Sequence, residues 1–132
     1  GFYEGESARS LADFARRTSG FFDETDLRAQ VASWDEPVAG TYRDITLYQT
    51  PPPTQGVCVL EMLNLLESFD VARWEFMGAD HVHHLVQAKQ IAYNDRDRLL
   101  ADPSFAPVPT EQLISKAYAK RRRALMDSER AL

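Results

Sequence analysis

The sequence is poor in the features that would announce chemistry. Cys58 is the sole cysteine among 132 residues, so no internal disulfide can form and the redox compartment is left open. Set in an apolar run, that thiol reads as buried and inert rather than nucleophilic. No apolar stretch approaches the roughly 18 residues needed to span a bilayer, so no membrane partner is expected. A charged-then-apolar leader is missing at Gly1, which carries no weight if the sequence begins inside a longer protein. That leaves exported and cytoplasmic locations equally open. Basic excess is also lacking: 15 Lys and Arg face 20 Asp and Glu, a net charge of −5. This argues against a nucleic acid or an anionic surface as the main partner. Gly5 and Gly56 stand alone and build no phosphate-cradling loop. There is no Gly-x-Ser-x-Gly elbow and no Cys–His spacing suited to nucleophilic catalysis.

What is present is an ordered series of elements suited to one segment spanning residues 1–132. Apolar residues at three- and four-residue spacing predict a helix over Glu6–Arg17, with Gly20 available for a left-handed C-terminal turn and Phe21 and Phe22 free to pack back. Asp23 to Asp26 opens a short helix running to about Val31. Between Pro37 and Thr50 the period changes to two, predicting two short strands joined at Arg43-Asp44, with Asp44 tolerating positive φ. Pro51 to Pro53 can enter neither a sheet interior nor a helix and form a rigid corner, with Thr54 as N-cap of the next helix. That helix carries Val57, Val59, Leu60, Met62, Leu63, Leu65, Leu66 and Phe69. Its narrow polar stripe is Glu61, Asn64 and Ser68, with Glu67 alongside. So apolar a circumference asks for more protein around it than the chain obviously supplies. A long helix follows from about Ala79 to Leu100, with Val82, Leu85, Val86, Lys89, Ala92, Tyr93 and Arg96 at helical spacing. A last helix should run from Thr110 to about Met126 along Leu113, Ile114, Ala117, Tyr118, Arg121 and Leu125. The fold class is therefore α+β, mostly helical with one short β-hairpin.

Several clusters invite functional readings. His81, His83 and His84 are metal-like, with His81 and His84 able to share a helical face. No carboxylate or fourth ligand stands at a metal-site spacing, so a solvated or hydrogen-bonded helix face is preferred and no metal is expected. Asp95, Arg96, Asp97 and Arg98 could orient a site through carboxylate–guanidinium forks, but a structural ion-pair network is the simpler reading. Lys120 to Arg123 could hold a phosphate, but the exposed face of a terminal helix, with cations near the negative end of the dipole, is the preferred reading. Glu4 and Glu6 form an acidic helix start, with nothing nearby to drive their pKa values apart. No catalytic residue and no cofactor site emerge from the residues themselves.

The order and spacing of the landmarks are more specific than any single motif. Gly1–Ala8, Phe22–Leu27, Pro37–Arg43, Pro51–Gly56, Leu63–Asp70, Ala92–Arg96, Asp102–Phe105 and Val108-Pro109 follow one another along essentially the whole chain. This series resembles the γ-glutamyltranspeptidase family, most specifically between Pro51 and Asp70. The resemblance implies part of a four-layer αββα N-terminal-nucleophile hydrolase, in the C-terminal part of its large subunit. In such enzymes a precursor cleaves itself, and the new N-terminal threonine of the small subunit attacks a γ-glutamyl or related amide. The implied partners are the remainder of the large subunit, the small catalytic subunit and a small amide substrate. None of the threonines at 18, 25, 41, 46, 50, 54 and 110 is followed by the histidine of the family's nucleophile motif, so no catalytic role is carried onto this sequence. The segment alone is expected to be inert. Thr54-Gln55-Gly56-Val57 stands where Ser-Ser-Gly-Gly is typical, Asp44 where glycine is common, and Asn94 where alanine is usual. These departures leave room for a related acylase or amidohydrolase acting on another acyl amide, such as oxamate or a glutaryl amide. A self-standing helical interaction module and a histidine metal-binding protein are the alternatives from other classes.

Overall fold

The structure is a computed structural model describing all 132 residues. It divides into two units, Gly1–Trp34 and Asp35–Leu132. The first contains α1 (Glu6–Arg17) and α2 (Glu24–Ala29), which pack on each other. Ala8, Ala12 and Ala15 are the buried face of α1, as their spacing requires. The positive φ after α1 falls on Ser19 rather than Gly20. Gly20 instead brings its N–H within 2.7 Å of the Ala15 carbonyl, where an added Cβ would lie 3.1 Å from Ala15. Phe21 stays fully exposed and does not pack back. The N-terminus of α2 is a complete capping box. Asp23 accepts from the N–H groups of Thr25 and Asp26, while Asp26 accepts from that of Asp23. These backbone hydrogen bonds, that of Thr25 foremost, hold the Asp23 carboxyl below its usual range.

The second unit is built around α3 (Gly56–Leu66), against which the hairpin, α4 (Ala79–Leu99), α5 (Thr110–Leu113) and α6 (Lys116–Arg123) all pack. Strands β1 (Val38–Tyr42) and β2 (Ile45–Gln49) pair antiparallel, Val38 opposite Gln49 and Tyr42 opposite Ile45. The mostly helical α+β class with one hairpin is as expected from the sequence. In the turn, positive φ falls on Arg43 and not on Asp44. Arg43 is held there because its N–H donates to Glu67 Oε1 at 2.8 Å and its guanidinium reaches the Phe69 carbonyl.

At the proline corner Thr54 is not the helix cap. Its hydroxyl donates back to the carbonyls of Thr50 and Pro51, and α3 starts two residues later, with Gln55 in the capping position. The start of α3 then lies directly on the end of β2. A Cβ on Gly56 would sit 2.6 Å from Gln49 Cβ and 2.8 Å from the Thr50 carbonyl oxygen. Gly40 in β1 plays the same part further along, facing Leu60.

Burial corrects three expectations. First, two residues of the polar stripe of α3 lie inside: Glu61 and Asn64 are each 1% exposed, while Ser68 and apolar Val59 are exposed. The chain covers most of α3, leaving Val59 open and Met62 and Leu63 half-buried. Second, the inward face of α4 is His84, Gln87, Ala88, Ile91, Ala92 and Asp95, leaving Val82 and Val86 at the surface. Hydrogen-bonded polar side chains occupy positions that a reading by apolarity assigns to solvent. Third, the last helix is two, broken at Ile114-Ser115, where Ser115 Oγ accepts from the Tyr118 N–H and restarts the helix. Leu113 and Ala119 become its buried anchors. Leu65, Leu66, Ala88, Ile91 and Ala119 form the apolar core, flanked by Met62, Phe69, Leu85 and Met126.

Because the atoms opposing a Cβ at Gly56 are main chain or close to it, they cannot swing away. Gly56→Ala is expected to destabilise the protein by about 1–3 kcal/mol, measured as a lowered denaturant midpoint with an unchanged slope. Gly1→Ala, which meets nothing within 4 Å, serves as the control.

Candidate functional site

The polar groups that the structure gathers lie where α3, α4 and α6 meet. Asp95, on the inward face of α4, is 4% exposed. Arg122 reaches it from α6 as a two-pronged fork, Nη2 to Oδ1 at 2.8 Å and Nε to Oδ2 at 3.1 Å. Tyr118, one turn earlier on α6, donates its hydroxyl to Oδ2 at 2.9 Å. Glu61 completes the cluster from α3. Burial, then a hydrogen bond to Asp95 and that residue's charge, push its carboxyl up to about 8 against the opposing influence of Arg122. Burial also raises the Tyr118 hydroxyl, reinforced by Asp95.

Neighbouring residues tie the same helices together. Arg123 donates to the carbonyls of Leu65 and Asn64, both at 2.8 Å, satisfying acceptors at the C-terminal end of α3. Asn64 Nδ2 donates to the Ile114 carbonyl at 2.6 Å, where α5 and α6 separate. The basic run Lys120 to Arg123 is therefore not simply an exposed face, since Arg122 and Arg123 turn inward to neutralise and cap. Lys116 donates to the Thr41 carbonyl of β1 and to Glu67 Oε2 at the end of α3. That Lys116 hydrogen bond, with the Arg43 N–H, holds the Glu67 carboxyl below its usual range.

Other singled-out residues are placed apart from this junction. His81 Nδ1 accepts from the Met77 N–H, His84 Nδ1 meets the Asp80 carbonyl, and His83 Nε2 meets the Asp127 carbonyl. Trp74 stacks on His84 with ring centroids 4.5 Å apart, and Phe69 meets the same ring edge-on. No three His, Cys, Asp or Glu side chains come together in a way that could hold a metal ion. Of the 95–98 charge run, Arg96 pairs with its neighbour Asp97, reaches Gln55 and lies over the Tyr93 ring. Cys58 is buried, and that burial pushes its thiol up, away from the reactive thiolate. A cavity of about 370 Å³ beside it is bounded by Thr50, Thr54, Gln55 and Tyr93. Gln87, which no motif flagged, is 1% exposed and pins the C-terminal segment, accepting from the Asp127 N–H at 2.9 Å and donating to its carbonyl.

Chemically, the junction can hold a proton and lock three helices. It contains no nucleophile beside a base. Removing the guanidinium would strand a buried carboxylate, so Arg122→Ala is expected to cost about 3–5 kcal/mol of stability. Tyr118→Phe, which removes one donor of three, should cost about 1 kcal/mol. Chemical denaturation of the two variants checks the ratio.

Comparison with known proteins extends this picture beyond the chain. It is 41% identical over 130 residues to the acylase ACY 1 proenzyme of Pseudomonas sp. strain SE83, covering 98% of this chain and 23% of that protein. It is 38% identical over 120 residues to the glutathione hydrolase proenzyme of Escherichia coli strain K12, covering 90% and 21% respectively. The chain thus spans less than a quarter of the length of these relatives. Among solved structures, the γ-glutamyltranspeptidase of Helicobacter pylori superposes with a TM-score of 0.82 at 28% identity, over 99% of this chain and 38% of that one. The family model described as gamma-glutamyltranspeptidase matches residues 1–132 from end to end, and on that match the chain belongs to the γ-glutamyltranspeptidase family.

Proposed function

We propose that this chain is a supporting segment of a γ-glutamyltranspeptidase-like enzyme, one that hydrolyses or transfers γ-glutamyl amides through an N-terminal threonine lying outside these 132 residues. The observation that carries the proposal is the family match over residues 1–132 in a chain whose polar side chains are engaged in holding helices together. The relatives named as proenzymes support a precursor that is processed before it acts. On this reading the partners are the rest of the large subunit and the small subunit carrying the nucleophile. The threonine attacks the amide carbonyl with its own α-amine as base, and an acyl-enzyme passes the acyl group to water or an amine. Oxyanion donors from the same outside segments would stabilise the tetrahedral intermediate. The segment itself contributes no reacting group and should be inert alone. It needs no cofactor for this role.

An acylase acting on a different acyl amide is the second reading, favoured by the higher identity to the acylase than to the glutathione hydrolase, 41% against 38%.

In the full-length protein, a Thr-Thr-His or Thr-Ser-His run is expected within a few tens of residues after Leu132. Changing its leading threonine to alanine should abolish both self-cleavage and turnover; a variant still cut normally would overturn the mechanism. Rates on a γ-glutamyl anilide and on a glutaryl amide, compared in the processed enzyme, decide between the two substrate classes.

A further inference from the structure

The α3–α4–α6 junction leaves one atom without a partner. Glu61 Oε1 is buried and meets no donor, in a side chain 1% exposed. An ionised carboxylate there would lack the hydrogen bonds that its charge demands. Asp95, the carboxyl facing it, is in the opposite condition, its two oxygens accepting from Tyr118 Oη, Arg122 Nε and Arg122 Nη2. Such a set of donors is what an anion requires. Two carboxyl groups joined by a hydrogen bond share a site best when one of them keeps its proton.

We propose that Glu61 carries a proton at neutral pH and donates it to the Asp95 carboxylate, so that the junction of α3, α4 and α6 is closed by a buried acid–carboxylate hydrogen bond that opens as the pH rises. Of the groups acting on Glu61, Arg122 alone favours its ionisation, and burial with Asp95 outweighs it. Asp95 from α4 opposes its ionisation, and Arg122 from α6 is already engaged by Asp95 in a bidentate pair. Tyr118, also from α6, spends its proton on Asp95 and has none left for Glu61. Cys58 on the same helix is a buried thiol with a raised pKa and brings no positive charge. The hairpin and α5 add no charged group that acts on it. Loss of the proton would leave two anions against one guanidinium, and parting α3 from α4 is what would relieve them.

The sign follows from the direction of the shift. The folded state holds this proton more tightly than the unfolded chain, whose glutamate titrates near 4.5, so the stabilisation is complete below that pH and is lost as the pH rises through about 8. The experiment is unfolding of the full-length protein at pH 6 and pH 9, parent beside Glu61→Gln, with infrared spectra at neutral pH. Gln keeps a donor aimed at Asp95 and cannot ionise. The parent's folding equilibrium constant is expected to fall about a hundredfold more than the variant's over that interval, tenfold for each pH unit between 6 and about 8. The parent should also show a protonated-carboxyl band that is missing from the variant and disappears on titration towards pH 9. Equal declines in the two proteins, or no such band in the parent at neutral pH, would overturn the proposal. If the variant does not fold, the parent's band and its titration still decide. Neither result bears on the proposed amide chemistry, which rests on other observations.

Discussion

The bidentate pair between Asp95 and Arg122 is the constraint on which the second unit depends. A carboxylate 4% exposed has no solvent to fall back on, so α6 must sit where its guanidinium meets that carboxylate in one plane. The next residue in sequence, Arg123, caps the carbonyls at the end of α3. Two consecutive arginines thus fix one short helix against two others at once. An apolar contact of equal area would tolerate sliding or rotation; a fork with two hydrogen bonds does not. Buried pairs of this kind add little net stability, because desolvation offsets most of the attraction. What the pair contributes here is a single geometry for three helices.

That geometry radiates outward through α3. Its N-terminal end rests on the end of β2, with Gly56 allowing the approach, and its C-terminal end holds the hairpin turn through Glu67 and Arg43. Lys116, at the first position of α6, reaches the same Glu67 and the β1 backbone. The hairpin is therefore clamped at both ends by the helix it covers. A two-stranded sheet has little stability by itself, and these clamps supply what more strands would supply elsewhere.

Much of this was legible in the sequence, and the failures share one cause. Element types and order, the hairpin turn at Arg43-Asp44, the proline corner and the bounds of α1 follow from period and punctuation, which are local properties. The inward faces of α3 and α4 did not follow. Glu61, Asn64, Gln87 and Asp95 are polar residues that the fold buries with partners between 23 and 50 positions away. A reading that assigns polar residues to solvent inverts those faces, because the partner that makes burial tolerable is invisible in a local window. The same blindness placed the basic run at the surface. The break at Ile114-Ser115 did carry a local signal, since serine is a favoured N-cap, but the surrounding helical period masked it.

The landmarks that carry the family resemblance gain a physical meaning from this comparison. Gly56 belongs to the proline-corner landmark, Asn64 and Glu67 to the next, and Asp95 to the one after. In the structure these are the close approach of helix to strand, the ties to α5 and the hairpin, and the anion at the three-helix junction. Asp23, from an earlier landmark, completes the capping box of α2. Each of these residues is occupied in holding one element against another or in ending a helix. A segment whose most recognisable residues are its joints has the character of a frame, and the requirement on a frame is that it place something else accurately. In a family of proenzymes, an accurately placed nucleophile is what such a frame would serve.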